Sequence, residues 1–486
     1  MRVMRRLLLA AALAVALAAL PADAAGALQP SPSAQTPSSL LNCMPAAGIA
    51  SRPAASAAAS QRSLLSGSGS RTQDGWLLVH LQGTPYQIGY QRGYLTAQMA
   101  GLWLRTVLGP RGASYRQRSR AIAESRVWPK IPLEYRLELK GTAAGMRARG
   151  VQADLWDVVA ANQWADQAVY APGSGRSTTG RCSAFIATGA ATVGGQIVMG
   201  HDTWTSYDRG SVENVLYDVH PAKGHAFRYQ GAGGAIWSGE DWYVNDAGLM
   251  VCETSLHDAA ADPAGVPVFV RVRQAVQYAA TIDAFLRIML RRNNGAYPNE
   301  WLVGDARTGE IAALQLGCKA HDLRRTHNGF YGSSNYATGA AFLHEANTPA
   351  PGPSAASTAR YIRWRQLAQK WHGKVDAAVG KAMLADHYDT YLKRTAASSR
   401  TICGHFEADA AFPYGAIDAK VTTSSMVLGG MAMWVRWGHP CGTPFDASRW
   451  LTAHPWWASE HGAFAVAGLK RFSSETPNRW SLVEGF

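Results

Sequence analysis

Short apolar runs paired across tight turns limit what this chain can fold into. Runs at 184–187 and 197–199 flank Gly194-Gly195. Runs at 242–244 and 249–252 flank Asn245 to Gly248, and runs at 301–303 and 311–314 flank Asp305 to Gly309. Two short apolar runs across a turn of this kind predict a hairpin. Hairpins in succession require antiparallel sheets, which carry one buried face each and must stack to bury it. A further strand is expected at 76–81. Helical periodicity marks 86–107, 121–148 and 154–169 before the hairpins, 270–292 among them, and 359–371 and 377–391 after them. The order predicts an α+β chain of stacked sheets covered by helices.

The N-terminus reads as a targeting segment. Arg2, Arg5 and Arg6 precede an apolar run from Leu7 to Leu20, and Ala22-Asp23-Ala24 fits a small-x-small cleavage site. That is the pattern of a secretory signal peptide over 1–24, too short to span a bilayer. An exported chain, periplasmic or extracellular, is expected. Residues 25–72, rich in Ala, Ser and Pro, are expected to be a disordered linker. The rest divides into a largely helical segment, 73–181, and a β-rich segment, 182–486, forming one domain together.

The formal net charge is +13, about +11 without the leader. A basic surface predicts weak attraction to anionic membrane surfaces. No nucleic-acid motif accompanies it, and no obligate protein partner is expected. The chain holds 17 Trp; a large apolar core accounts for most of them, and an aromatic-lined cavity is the alternative use. Export permits disulfides, and Cys403 with Cys441, both in Gly-containing turns, is the best candidate pair. Cys252 and Cys318 lie in apolar runs and are expected as buried thiols. There is no C-x-x-C, no H-E-x-x-H and no G-x-S-x-G, so neither a zinc ribbon, a zinc protease nor an ordinary α/β-hydrolase is expected. No metal and no cofactor are expected.

The chemistry concentrates at one junction. A small polar stretch, 174–180, runs into Arg181 and Cys182, and Cys182 opens the first hairpin; His201 and Trp204 follow its second run. Only a thiolate attacks well, and an unperturbed thiol titrates near 8.5. An N-terminal cysteine carries its own base, an α-amine titrating at about 7.7–8.0. Breaking the Arg181–Cys182 bond would expose that amine, the thiol itself attacking the Arg181 carbonyl.

Several motifs in order then resemble the phospholipase-B-like family of N-terminal-nucleophile hydrolases, related to the acyl-coenzyme A:6-aminopenicillanate acyltransferase-like group. They are C-S-A-F-I from Cys182, G-H-D-T-W from Gly200, G-T-P-Y-Q-I-G-Y-Q-R-G from Gly83, W-Y-V-N-D-A-G-L-M-V-C-E-T-S from Trp242, G-F-Y-G-S-S-N-Y from Gly329 and Y-G-A-I-D-A-K-V-T from Tyr414. The resemblance implies a four-layered αββα sandwich and an exported, self-cleaving hydrolase. It implies Cys182 as nucleophile, Thr254 as its orienting neighbour, and His201 at the pocket or in self-cleavage. Asn335 would be the oxyanion donor and Arg400 a charged holder of substrate or nucleophile. Trp204, Asp241 and Trp242 would bind substrate. The substrate it implies is an acyl ester of a phospholipid or lysophospholipid. The alternatives are an amidase, acylase or N-acyltransferase acting on a small acylated amine or peptide, and an exported binding protein on the same fold.

Overall fold

Two large sheets lie face to face, and helices cover both outer faces. The computed structural model describes residues 53–109, 112–171, 182–257, 260–410 and 412–485. The first sheet has nine strands. In chain order they are β1 (Gly69–Gln73), β2 (Trp76–Gly83), β5 (Val215–Pro221), β6 (Phe227–Gly231), β7 (Trp242–Asn245), β8 (Leu249–Ser255), β9 (Asn299–Asp305), β10 (Glu310–Leu316) and β11 (His321–Thr326), and they neighbour one another in that order. Only the β2–β5 pairing is parallel; the others are antiparallel. The second sheet runs β12 (Gly329–Ser333), β3 (Cys182–Gly189), β4 (Gly195–Ser206), β16 (Asp418–Thr423), β17 (Met433–Trp437) and β18 (Ser481–Val483), with β15 (Tyr414–Ala416) paired to the end of β4. A small ribbon joins β13 (Tyr388–Asp389) to β14 (Arg394–Thr395).

Strand alternation sorts the side chains into layers. One core holds Leu78, Leu216, Trp242, Met250, Leu302 and Ile311 of the first sheet against Ala184, Ile186, Ile197, Met199, Met433 and Val435 of the second. A second core packs the other face of the first sheet, through Val79, Val215 and Tyr217, on helices contributing Ile88, Leu139 and Val272. A third packs Phe185, Val198 and Val421 on Trp364, Leu367 and Met383. Three cores between four layers make the αββα sandwich that the motifs imply.

One helix pair carries the outer layer of the first sheet. Thr84 caps the helix Pro85–Leu95 through a capping box with Gln87, and this helix lies on Leu133–Ala148 with backbones nearly touching. A Cβ on Gly89 would stand 1.9 Å from the Glu138 carbonyl oxygen, and one on Gly93 2.0 Å from that of Thr142. Gly141 and Gly145 meet Tyr86 and Tyr90 in the same way. The four-residue glycine spacing is thus a helix-packing stripe. Across it, buried Arg92 pairs with Glu138 at 2.6 Å, and Arg273 pairs with the same carboxylate at 3.1 Å.

Several expectations need correction. The linker reading of 25–72 runs too far: Pro53–Leu65 is a helix, since alanine favours helix and Pro53 sits in its first turn, and β1 pairs along β2. Residues 1–52, with the signal-peptide reading, lie outside the described residues. The helix at 86–107 is two, parted at Thr96, and that at 270–292 breaks after Tyr278. The edge strand β11 and the helical stretch Pro455–Glu475 went unread, because both are largely exposed and lack a clean apolar period. Cys403 and Cys441 are free thiols, as are the buried Cys252 and Cys318.

Adding one methyl to the glycine stripe tests this packing. Gly93→Ala should cost about 1–3 kcal/mol by overpacking, read as a fall in melting temperature. Gly101→Ala, whose new Cβ would meet only Val151 at 3.6 Å, should leave the melt unchanged or raise it.

Candidate active site

Cys182 is the first residue of β3, opposite Thr203 of β4. It shares a strand face with Ala184 and Ile186, so its thiol points between the sheets; Ser183 and Phe185 point the other way. The residue is buried. Its Sγ donates to Asp241 Oδ2 at 3.6 Å. Burial pushes this thiol well above its ordinary range, and the charges of Asp241 and Glu253 push it further. Asp241 is raised to about 6, chiefly by burial, and accepts a hydrogen bond from the Tyr297 hydroxyl at 3.1 Å.

A cavity lies in front of the sulfur, with about 230 Å³ of empty space including its mouth. It is lined by Cys182, Thr203, Trp204, Thr205, Arg209, Glu213, Gly239, Asp241 and Tyr297. Arg209 Nε donates to Glu213 Oε1 at 2.6 Å, and its guanidinium lies 4.4 Å from the Trp164 ring. Asp241 and Tyr297 both have left-handed backbones, φ 63° and 53°. For tyrosine that conformation is an outlier, of the kind surrounding structure holds in place at functional sites.

The structure divides the sequence-derived residues into three groups. Cys182, Trp204 and Asp241 meet at the cavity. His201 stands just behind, its ligand-capable nitrogen within 4.8 Å of the Cys182 and Asp241 atoms. Its Nε2 donates to the Glu253 carbonyl at 2.9 Å, and burial, reinforced by Lys420, holds it neutral far below its usual range. Thr254 and Asn335 form a second group: Thr254 Oγ1 lies 2.6 Å from Ser333 Oγ and accepts the Asn335 backbone N–H at 3.2 Å. Asn335, at φ 62°, donates its amide to the Ser255 carbonyl at 2.8 Å and is not among the cavity-lining residues.

Two expectations fail. Trp242 alternates to the inter-sheet core with Val244 and is not among the residues lining this cavity. Arg400 turns outward to Asp389 at 2.8 Å and Asp409 at 3.5 Å. The guanidinium at Cys182 is that of Arg360, on the helix Ala356–Lys370. It donates to the Cys182 carbonyl at 2.5 Å, to Ser183 Oγ at 3.2 Å and to Asn335 Oδ1 at 2.9 Å, with its Cζ 4.0 Å over the Trp204 ring. Arg360 thus ties the Asn335 group to the cysteine. Lys420 was missed as well. Fully buried, its Nζ donates to Thr203 Oγ1 and Asp418 Oδ1, both at 2.8 Å, and to the Glu240 carbonyl at 3.2 Å. A lysine between two inward-facing strand positions was its signal. Arg360 had none, since its helix reads as surface. Arg181, on the far side of the expected cut, lies outside the described residues.

Sequence comparison bears on this arrangement. Residues 141–313 match the phospholipase B family model. That stretch holds Cys182, His201, Trp204, Asp241 and Thr254. An uncharacterized protein of Archaeoglobus fulgidus is 25% identical over 281 residues, 51% of this chain, and the chain spans less than half (44%) of that relative's length. Among solved structures, a mutant of the conjugated bile acid hydrolase of Clostridium perfringens aligns with 53% of this chain and 89% of its own. The TM-score is 0.30 and the identity 9%, too distant to carry a residue role.

The electrostatics predict how the thiol responds to its neighbour. Asp241→Asn removes a negative charge facing Sγ, so the thiolate fraction should rise by about tenfold for each unit the thiol pKa falls. Mixed-disulfide formation at Cys182 with a small methanethiosulfonate, which releases methanesulfinate, should therefore speed up at mildly alkaline pH. An unchanged rate would mean that Asp241 does not govern the sulfur.

Proposed function

We propose that this chain is a hydrolase of the N-terminal-nucleophile kind, acting on an acyl ester of a phospholipid or lysophospholipid through Cys182. The observation that carries the reading is a cysteine at the first residue of a buried strand, with its sulfur on a cavity and on Asp241, inside the stretch that matches the phospholipase B family. In this reading the chain is exported and cut once. Sγ attacks the Arg181 carbonyl carbon, the thiol proton passes to the departing Cys182 nitrogen, and a thioester joins the two residues. Water then opens the thioester, leaving the Arg181 carboxylate, a free thiol and a free α-amine.

In the cut enzyme the α-amine takes the proton from its own sulfur as the sulfur attacks an acyl carbonyl. Asp241 then stabilises the ammonium formed beside it. Arg360 and Lys420 act indirectly, fixing Cys182 through its carbonyl and through Thr203. Asn335 remains the oxyanion candidate through the amide hydrogen not spent on Ser255, a contribution worth about 2.7–4 kcal/mol in comparable sites. His201, neutral and committed to the Glu253 carbonyl, orients the strand rather than moving protons.

A second reading is favoured by the lining itself. The cavity is small, and Thr203, Thr205, Arg209, Glu213 and Asp241 share its lining with Trp204 and Tyr297, which suits a small acylated amine or peptide better than a long acyl chain. Phosphatidylcholine, lysophosphatidylcholine and a set of N-acyl amino acids, assayed for released fatty acid and released amine, separate the two. The ester reading expects turnover of the lipids, abolished in Cys182→Ala. Amide turnover alone would replace it with the second, and full activity in Cys182→Ala would remove both.

A further inference from the structure

Away from the cavity, four side chains from three separate segments converge. His387 follows the helix Ala377–Leu384, Cys403 and His405 lie on one turn, and Cys441 comes from the loop after β17. One ligand-capable atom from each lies within 4.8 Å of all the others. His405 Nε2 faces both sulfurs, 3.2 Å from Cys403 and 3.6 Å from Cys441. The Nε2 of His387 is buried and makes no hydrogen bond among the described residues. From this geometry we propose that His387, Cys403, His405 and Cys441 bind one structural zinc ion.

The donor set is that of a closed Cys₂His₂ site, with no position left for water. Bonds of about 2.0–2.3 Å place tetrahedral ligands roughly 3.3–3.8 Å apart, a contraction that side-chain rotation supplies. The surroundings are those of a metal-bound histidine and thiolate. His405 Nδ1 is held by Glu407 at 2.7 Å, and Glu407 in turn accepts from the Tyr207 hydroxyl. A carboxylate on the far nitrogen fixes the ring and leaves Nε2 as the donor atom. The Thr443 backbone N–H points at Cys441 Sγ from 3.4 Å, as it would toward a thiolate. No spacing rule announces the site, because its ligands come from positions far apart in the chain, and it revises the expectation of no metal.

The location gives the ion a purpose. The residue before Cys403 accepts the Ser183 hydroxyl through its carbonyl at 3.2 Å. Gly404, between two ligands, packs so closely on the Trp204 ring that a Cβ there would stand 2.3 Å from it, and its carbonyl takes the Ala416 N–H at 3.0 Å. Zinc would therefore clamp the turn that backs Ser183 and Trp204, neighbours of Cys182, without touching substrate.

The test is made on the full-length protein, exported, purified and stripped of metal by chelator under reducing conditions, then titrated with cobalt(II). The expected result is one cobalt per chain with thiolate-to-cobalt charge-transfer bands and tetrahedral visible bands, displaced by one equivalent of zinc. Binding should weaken at least tenfold in Cys441→Ser and by about 10–100-fold in Glu407→Gln, which alters only the partner of a ligand. It should be unchanged in Cys182→Ala. Absence of the charge-transfer bands in reduced wild type would overturn the proposal. So would a Cys403–Cys441 disulfide in the protein as exported, found by non-reducing peptide mass mapping, or binding lost in Cys182→Ala and kept in Cys441→Ser.

Discussion

The burial of Cys182 between the two sheets is the constraint on which the site depends. A thiol in that position, facing Asp241 and near Glu253, is held neutral by desolvation and by like charge. Such a sulfur is a poor nucleophile until something nearby takes its proton. The strand geometry restricts what that can be. His201 is neutral and bonded to a backbone carbonyl, and Lys420 is saturated by Thr203, Asp418 and Glu240. The nearest base that the backbone can supply is the nitrogen of Cys182 itself, which becomes an amine only if the preceding bond is broken.

The sandwich makes this arrangement rigid. β3 and β4 are paired from Cys182 to Gly189, and β4 is held on its other side by β15 and β16. The Arg92–Glu138–Arg273 cluster and the glycine stripe lock the outer helices to one another, and the segments leading into β7 and β9 bring Asp241 and Tyr297 to the cavity. Burying three charges is costly unless each is paired, and here both guanidinium groups share one carboxylate. Cys182 sits at a strand end rather than mid-strand, so one side of it is left to the cavity.

Much of this was legible in the chain. The hairpins at 184–199, 242–252 and 301–314 follow from apolar runs and turn residues, because those signals are local. Cys182 and Trp204 were singled out at a junction and Asp241 by a resemblance, and the structure brings the three to one cavity. What was not legible depends on tertiary contact. Arg400 was named from the resemblance and Arg360 was not read at all, because only the helix on the far sheet face decides which guanidinium reaches the cysteine. Trp242 was assigned to the pocket although period-two alternation, once its strand is placed, sends it to the core. The turn cysteines were paired as a disulfide because spacing alone does not show a histidine lying between them.

Intact mass and N-terminal sequencing of the purified, active protein probe the central claim. The account predicts two chains held together without a covalent link, the second beginning at Cys182 with a free amine. A single unbroken chain with full activity would contradict it.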